Sequence, residues 1–263
     1  MRKLAILIPT GMLAMLGLAS AQAPPSAPPT FPRPAAYRTN PIQVQKSTTP
    51  TYDRTLLRPS LLKEKAPETF QVKFETTRGD FVMNVTRSWA PIGADRFYNL
   101  VKHHFYDNTV IFRAVPGFVV QFGISSYPAV SSAWSNANIK DDPVTQSNKR
   151  GFVTFAKTGA PNSRSTQIFI SFKDNSFLDL QGFAPFAEID ATGMKVVEMF
   201  YDQYGDQPTN EQDQIARAGK AYLDSKYPKL DVIKHATLVG AVGATSAKPA
   251  AATATAPAAT KPQ

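Results

Sequence analysis

One cation, one amide and a group of apolar side chains fall within the single run Phe112-Arg113-Ala114-Val115-Pro116-Gly117-Phe118-Val119-Val120-Gln121-Phe122-Gly123. Side chains two apart share a face of an extended strand, so this run can present a guanidinium beside apolar groups. Arginine stays charged and offers rigid donors. It can steady a developing lone pair, but it cannot take up a proton. The rest of the chain supplies little for covalent chemistry. There are no cysteines and only three histidines, two of them adjacent at His103 and His104. A thiolate nucleophile and a cysteine-ligated metal are therefore excluded, and no metal or cofactor is expected. Two further runs complete the set: Gly151 to Ile170, in which two apolar stretches flank the polar loop Lys157-Thr158-Gly159-Ala160-Pro161-Asn162-Ser163-Arg164-Ser165-Thr166, and Phe177-Leu178-Asp179 followed by Gly182-Phe183-Ala184-Pro185-Phe186.

The elements that must carry these residues can be read from periodicity. Gln71 to Thr77 and Phe81 to Val85 alternate and are joined by Arg78-Gly79-Asp80, which predicts a hairpin. Pro91 suits a first helical turn, and Ile92, Phe97, Leu100 and Val101 recur at helical spacing. Strands are predicted over Val110 to Val115, Phe118 to Phe122, Phe152 to Ala156, Gln167 to Phe172, Phe183 to Ile189 and Val232 to Val239. Helices are predicted over Met194 to Tyr201 and Glu211 to Lys226, the latter stopped by Pro228. Many short strands with a few helices between them suggest an antiparallel barrel.

Taken together and in order, these blocks resemble the cyclophilins. The matching motifs are Arg113-x-x-Pro116-Gly117-Phe118-x-x-Gln121-x-Gly123, the loop Ala156-Lys157-Thr158 leading to Pro161-Asn162-Ser163 and then Thr166-Gln167-x-Phe169-Ile170, and the helix Ala90-Pro91 to Leu100. The resemblance covers about Phe70 to Leu238. It implies a mainly β fold, a closed eight-stranded antiparallel barrel capped by two helices, with an extra helix before the last strand. It also implies peptidyl-prolyl cis-trans isomerase activity on proline-containing polypeptides. Carried over residue by residue, Arg113 is catalytic, with Gln121 and Phe118 beside it. Val119, Thr158, Gln167, Phe169, Phe177, Leu178 and Phe183 bind substrate. Phe177 and Phe183 stand where relatives often have Trp and His, Val119 where Met is usual, and Phe112 where His is common. These departures bear on peptide preference. The rival reading is a non-catalytic proline-peptide or envelope-assembly module on the same scaffold.

Outside this region the composition changes. Residues 1–23 read as a cleaved signal peptide, from Arg2 and Lys3 through an apolar stretch to Ala21-Gln22-Ala23. Residues 24–67 read as a Pro-rich, mostly disordered linker, in which Tyr37, Tyr52, Leu56, Leu57, Leu61 and Leu62 are exceptions able to dock on the domain, and 241–263 as a disordered Ala/Thr/Pro tail, leaving 68–240 as the folded domain. A periplasmic or extracellular monomer is expected, with no stable membrane insertion once the signal is cleaved. The net charge of +9 is scattered, so no nucleic-acid partner is expected.

Overall fold

Alternation in the first hairpin sets the inner face of the sheet. In the computed structural model, which describes residues 52–239, β1 (Thr69–Thr76) buries Phe70, Val72, Phe74 and Thr76, and β2 (Gly79–Thr86) buries Phe81, Met83 and Val85. Phe74 stands directly opposite Phe81, and their rings stack at 5.0 Å. The link is tighter than expected: Gly79 already belongs to β2, and only Thr77 and Arg78 lie between the strands.

Helix α1 (Pro91–Lys102) follows, with Pro91 at its start and Ala94, Phe97, Leu100 and Val101 buried. The Asp142 carboxylate serves its first turn, accepting from the Ile92 N–H at 3.0 Å and the Gly93 N–H at 2.7 Å. Then come β3 (Arg113–Val115), β4 (Val119–Phe122), α2 (Pro128–Trp134), β5 (Phe152–Phe155), β6 (Ile168–Ser171), β7 (Pro185–Ile189), α3 (Ala191–Val197), α4 (Gln212–Ala218), α5 (Lys220–Lys226) and β8 (Ile233–Val239). All ladders are antiparallel, and the strands form one eight-stranded sheet in the order β3-β4-β6-β5-β7-β2-β1-β8. Its curled interior is filled by aromatic side chains, among them Phe97, Tyr106, Phe122, Phe155 and Phe186.

A closed barrel would need a ladder between β8 and β3. Among the described residues a single bridge, Val110 with Val232, stands there instead. It is flanked by the Ile111 N–H to Asp231 and the Ile233 N–H to Thr109. The stretch Val110 to Val115, read as one strand, is accordingly a strand only from Arg113.

The helices differ from expectation in three places. α2 was not foreseen; Val130 and Trp134 bury its inner face, and the Trp134 indole N–H donates to the Leu56 carbonyl at 2.8 Å. α3 begins and ends earlier than Met194 to Tyr201, because the Asp190 carboxylate caps it by accepting from the Gly193 N–H at 2.7 Å. The extra helix is two short ones, broken at Gly219 with φ +67°.

Residues 52–67, grouped with the linker by composition, are seated on the domain rather than extended from it: Leu56, Leu62 and Ala66 are buried in the main core. Their polar ties are specific. The Ala66 N–H donates to Asp95 at 2.8 Å, Glu64 and Asn99 exchange backbone-to-side-chain bonds, and Asp53 meets His103 Nδ1 at 2.6 Å. The expected signal peptide, the earlier part of the linker, residue 240 and the tail lie outside the described residues. No helix among the described residues is long and apolar enough to cross a membrane.

Candidate functional site

The site is built on the β3–β4 hairpin. Its register sets Arg113 directly opposite Gln121, and the guanidinium Nη1 donates to the Gln121 amide oxygen at 3.0 Å. Gln121 is buried, and its amide nitrogen donates to Gln167 Oε1 at 2.8 Å, across to the residue preceding β6. A buried amide needs partners for both ends, and here each end has one. One face of the Arg113 guanidinium lies over the Phe118 ring at 5.3 Å.

Beside this polar chain is a small apolar cluster separate from the main core. Val119, Phe169 and Leu178 are buried in it, with Phe118, Ala156 and Phe183 packed around them. Phe183 meets Phe169 edge-on at 5.6 Å, while Phe177 is half exposed and stacks on Phe118 at 6.1 Å. The structure thus brings Arg113, Phe118, Val119, Gln121, Gln167, Phe169, Leu178 and Phe183 together, with Phe177 at the rim. Thr158 is exposed on the polar loop, its N–H donating to Ser163 Oγ at 3.1 Å. It lines a neighbouring cavity of about 410 Å³ shared with Gln121, Lys157, Gln167 and Ser165; the apolar cluster lies next to that cavity and is not part of its lining, apart from Ala156.

Several residues that hold the site carried no expectation. Buried Asn175 donates to the Phe118 carbonyl at 3.0 Å. Buried Asn148 donates to the Phe183 carbonyl at 2.8 Å and to Asp179 at 2.7 Å. Burial pushes the Asp179 carboxyl up, but bonds from Ser147 and Asn148 outweigh it and hold the group below its usual range. Asp179 thereby fixes the short helical turn bearing Phe177 and Leu178. Arg164, buried under the polar loop, donates to the Asp141 carboxylate and the Gly182 carbonyl. Asp206 and Gln212 also reach the site, at Arg113 Nε (2.5 Å) and Gln167 Nε2 (2.8 Å). Asparagines and aspartates of this kind give no local signal in sequence, because their partners lie far along the chain. Among the described residues there is no group of three or more His, Asp or Glu side chains placed to hold a metal ion.

Comparison with known proteins gives the family. A family profile described as "Cyclophilin type peptidyl-prolyl cis-trans isomerase/CLD" matches residues 71–220. The chain belongs to the cyclophilin family. It is an enzyme of peptidyl-prolyl cis-trans isomerisation, the activity named for several of its relatives. A peptidyl-prolyl cis-trans isomerase of Acinetobacter baylyi is 32% identical over 143 residues, covering 52% of this chain and 75% of that protein. Peptidyl-prolyl cis-trans isomerase B of Escherichia coli is 33% identical over 135 residues, covering 48% of this chain and 81% of that protein. A solved cyclophilin type isomerase of Cryptosporidium parvum superposes with a TM-score of 0.49 at 17% identity, covering 66% of this chain and 99% of that one.

Proposed function

We propose that Arg113 is the catalytic group of this cyclophilin and that Phe118, Val119, Phe169 and Leu178 receive the proline ring. The observation that carries this is a guanidinium pinned by Gln121 at 3.0 Å on the rim of a buried apolar cluster. An X-Pro bond turns over a barrier of about 18–20 kcal/mol because rotation breaks amide resonance. No covalent bond is made or broken, so no nucleophile or general base is needed. In the twisted transition state the proline nitrogen regains a lone pair. Arg113 donates to that lone pair, an interaction weak in the planar ground state, and so lowers the barrier selectively. Gln121 orients the guanidinium, and Phe177 and Phe183 border the ring pocket. Gln167 and the backbone near Thr158 hold the flanking peptide chain.

The substrates are proline-containing polypeptides, and we infer exported proteins as clients, in the periplasm or outside the cell, from the signal-like residues 1–23. Intact mass of the exported protein tests that part: a chain beginning near Pro24 is expected, and retention of residues 1–23 in a membrane fraction overturns it.

Exchange NMR on a short X-Pro peptide tests the mechanism. Substoichiometric protein is expected to speed isomerisation, and Arg113→Ala to remove about 2.7–4 kcal/mol of barrier lowering, a hundred- to thousandfold in rate. Peptide binding with an unchanged isomerisation rate would instead establish a non-catalytic binding module.

A further inference from the structure

The Arg113 side chain has an acidic partner from outside the sheet. Between α3 and β8 the chain runs from Tyr201 to Leu230 through a tight turn, a 3₁₀ turn (Gln207–Glu211), α4 and α5. Asp206, just before the 3₁₀ turn, accepts from Arg113 Nε at 2.5 Å. Gln212, the first residue of α4, accepts from Gln167 Nε2 at 2.8 Å. The contacts therefore form one continuous relay, Asp206–Arg113–Gln121–Gln167–Gln212, that begins and ends on the same segment.

That segment is anchored independently of the site. Ile215, Leu223 and Tyr227 pack with Val110, Phe112 and Ile124 in a second apolar cluster, distinct from the one beside Arg113. Phe112, next to Arg113 in sequence, thus ties the segment to the hairpin it serves. Glu211 accepts from Lys226 at 2.5 Å and from Tyr227 at 3.2 Å, joining the 3₁₀ turn to α5. The bond from Lys226, with help from Tyr222, holds the Glu211 carboxyl below its usual range.

We propose that Asp206 is a positioning residue for the isomerase reaction. With Nε held by Asp206, Nη1 by Gln121 and one face on Phe118, the guanidinium has a single orientation. Among the described residues Nη2 makes no hydrogen bond, and it is the nitrogen left to meet the twisted peptide bond. The proposal rests on the assignment of catalysis to Arg113. A structural role is a poor alternative, because the Asp206 side chain is 57% exposed whereas that of Arg113 is 20% exposed.

The test is kcat and KM on an X-Pro peptide for Asp206→Ala and Asp206→Asn, each in the wild-type and Arg113→Ala backgrounds. Asp206→Ala is expected to lower kcat about three- to tenfold, the order of effect a loosened catalytic donor brings. KM should stay within about twofold, and the melting temperature should not change. Asp206→Asn is expected to restore most of the rate, because its amide oxygen still accepts from Nε. Asp206→Ser carries the same expectation as alanine should that variant fail to fold. In the Arg113→Ala background, replacing Asp206 should change nothing further. An unchanged or raised kcat in Asp206→Ala overturns the proposal, the raised value meaning that the carboxylate competes with substrate. An equal loss in both backgrounds also overturns it. If Arg113→Ala itself keeps full turnover, the assignment of Arg113 fails; if Arg113→Ala is inactive and Asp206→Ala fully active, only the role of Asp206 fails.

Discussion

The site of this cyclophilin has two walls of different construction. One is the strand wall of β3, β4 and β6, where the ladder sets Arg113 against Gln121 and Gln121 against Phe169. It lies over the main core, so its geometry is lost only with the fold. The other is the segment from Tyr201 to Leu230, made of helices of seven residues or fewer and resting on a cluster of six buried side chains. Such a small cluster permits local opening at a free energy below that of global unfolding. The difference teaches that the Arg113 guanidinium is held from two sides with unequal rigidity: by Gln121 on the paired strand, and by a detachable brace at Asp206.

Two glycines offer the sharpest ways to break that contrast. Gly123, at φ +114°, sits so close to β6 that a Cβ would meet the Thr166 carbonyl oxygen at 2.5 Å and the Gln167 Cα at 2.7 Å. Backbone on both sides cannot yield, so Gly123→Ala is expected to cost about 4 kcal/mol or more and to lower the melting temperature of the whole domain. A wild-type melting curve for this variant would show that the strand wall is soft. Gly219, at φ +67°, lets the α4–α5 junction lie against the Ser126 carbonyl, to which Lys220 also donates at 3.2 Å. Gly219→Ala is expected to cost about 1–3 kcal/mol in backbone strain and to drive a Cβ into the Ser126 carbonyl oxygen, a clash that the short α4–α5 junction relieves by lifting away, so that the loss falls on the brace. Hydrogen exchange should then lose protection over residues 201–230 but not in β1 and β2, with kcat falling toward that of Asp206→Ala. Uniform loss of protection would mean that the two walls unfold as one.

Smaller effects are expected away from both walls. Phe177 stacks on Phe118 yet is half exposed. Phe177→Ala should raise KM by about two- to tenfold, the worth of one aromatic contact, and leave kcat and melting temperature unchanged. A fall in kcat instead would place Phe177 among the groups that orient Arg113. Smallest is a pH effect on residues 52–67. At Asp95, burial pushes the carboxyl up, but the bonds from Arg87 and the Ala66 N–H outweigh it and hold the group below its usual 3.8. At Asp53, burial is likewise outweighed, by His103 and Thr55. Both carboxyls titrate lower folded than unfolded. Their contribution is therefore full above 3.8 and is lost as pH falls through the folded values. Exchange protection of residues 52–67 should decline across that window by about 0.2–1 kcal/mol per partly exposed pair. Loosening that begins well above that window would show that these two carboxylates do not govern the seating.

Much of the strand wall was legible in the sequence because its signals are local. Arg113, Gln121 and Phe169 lie within motifs that a single run of residues displays, and elsewhere in the sheet simple alternation marks β1 and β2. The brace was legible only as a helix. Asp206 sits in Tyr204-Gly205-Asp206-Gln207, which reads as a solvated turn, and its partner Arg113 is far away in sequence. The break at Gly219 depends on contact with Ser126, and periodicity cannot show that. Helix α2 did leave a trace, with Pro128 at its start and Val130 and Trp134 four apart, but its short run was masked by the serines around it. Leu56 stands out from the linker as a side chain able to dock, but its partner Trp134 lies far along the chain and cannot be read from it.

The sheet order has a consequence for how the chain is made. β1 pairs with β2 on one side, but on the other its partner is β8, which begins at Ile233. Ribosomes add about 5–20 residues per second, so roughly 10–30 s separate the synthesis of the two strands. During that interval the free side of β1 presents unpaired backbone groups beside Phe70, Val72 and Phe74, the kind of exposed strand edge that recruits other chains. The nascent protein is therefore most prone to aggregate just before its last strand arrives, and an early stop anywhere between α3 and β8 would leave that edge permanently open.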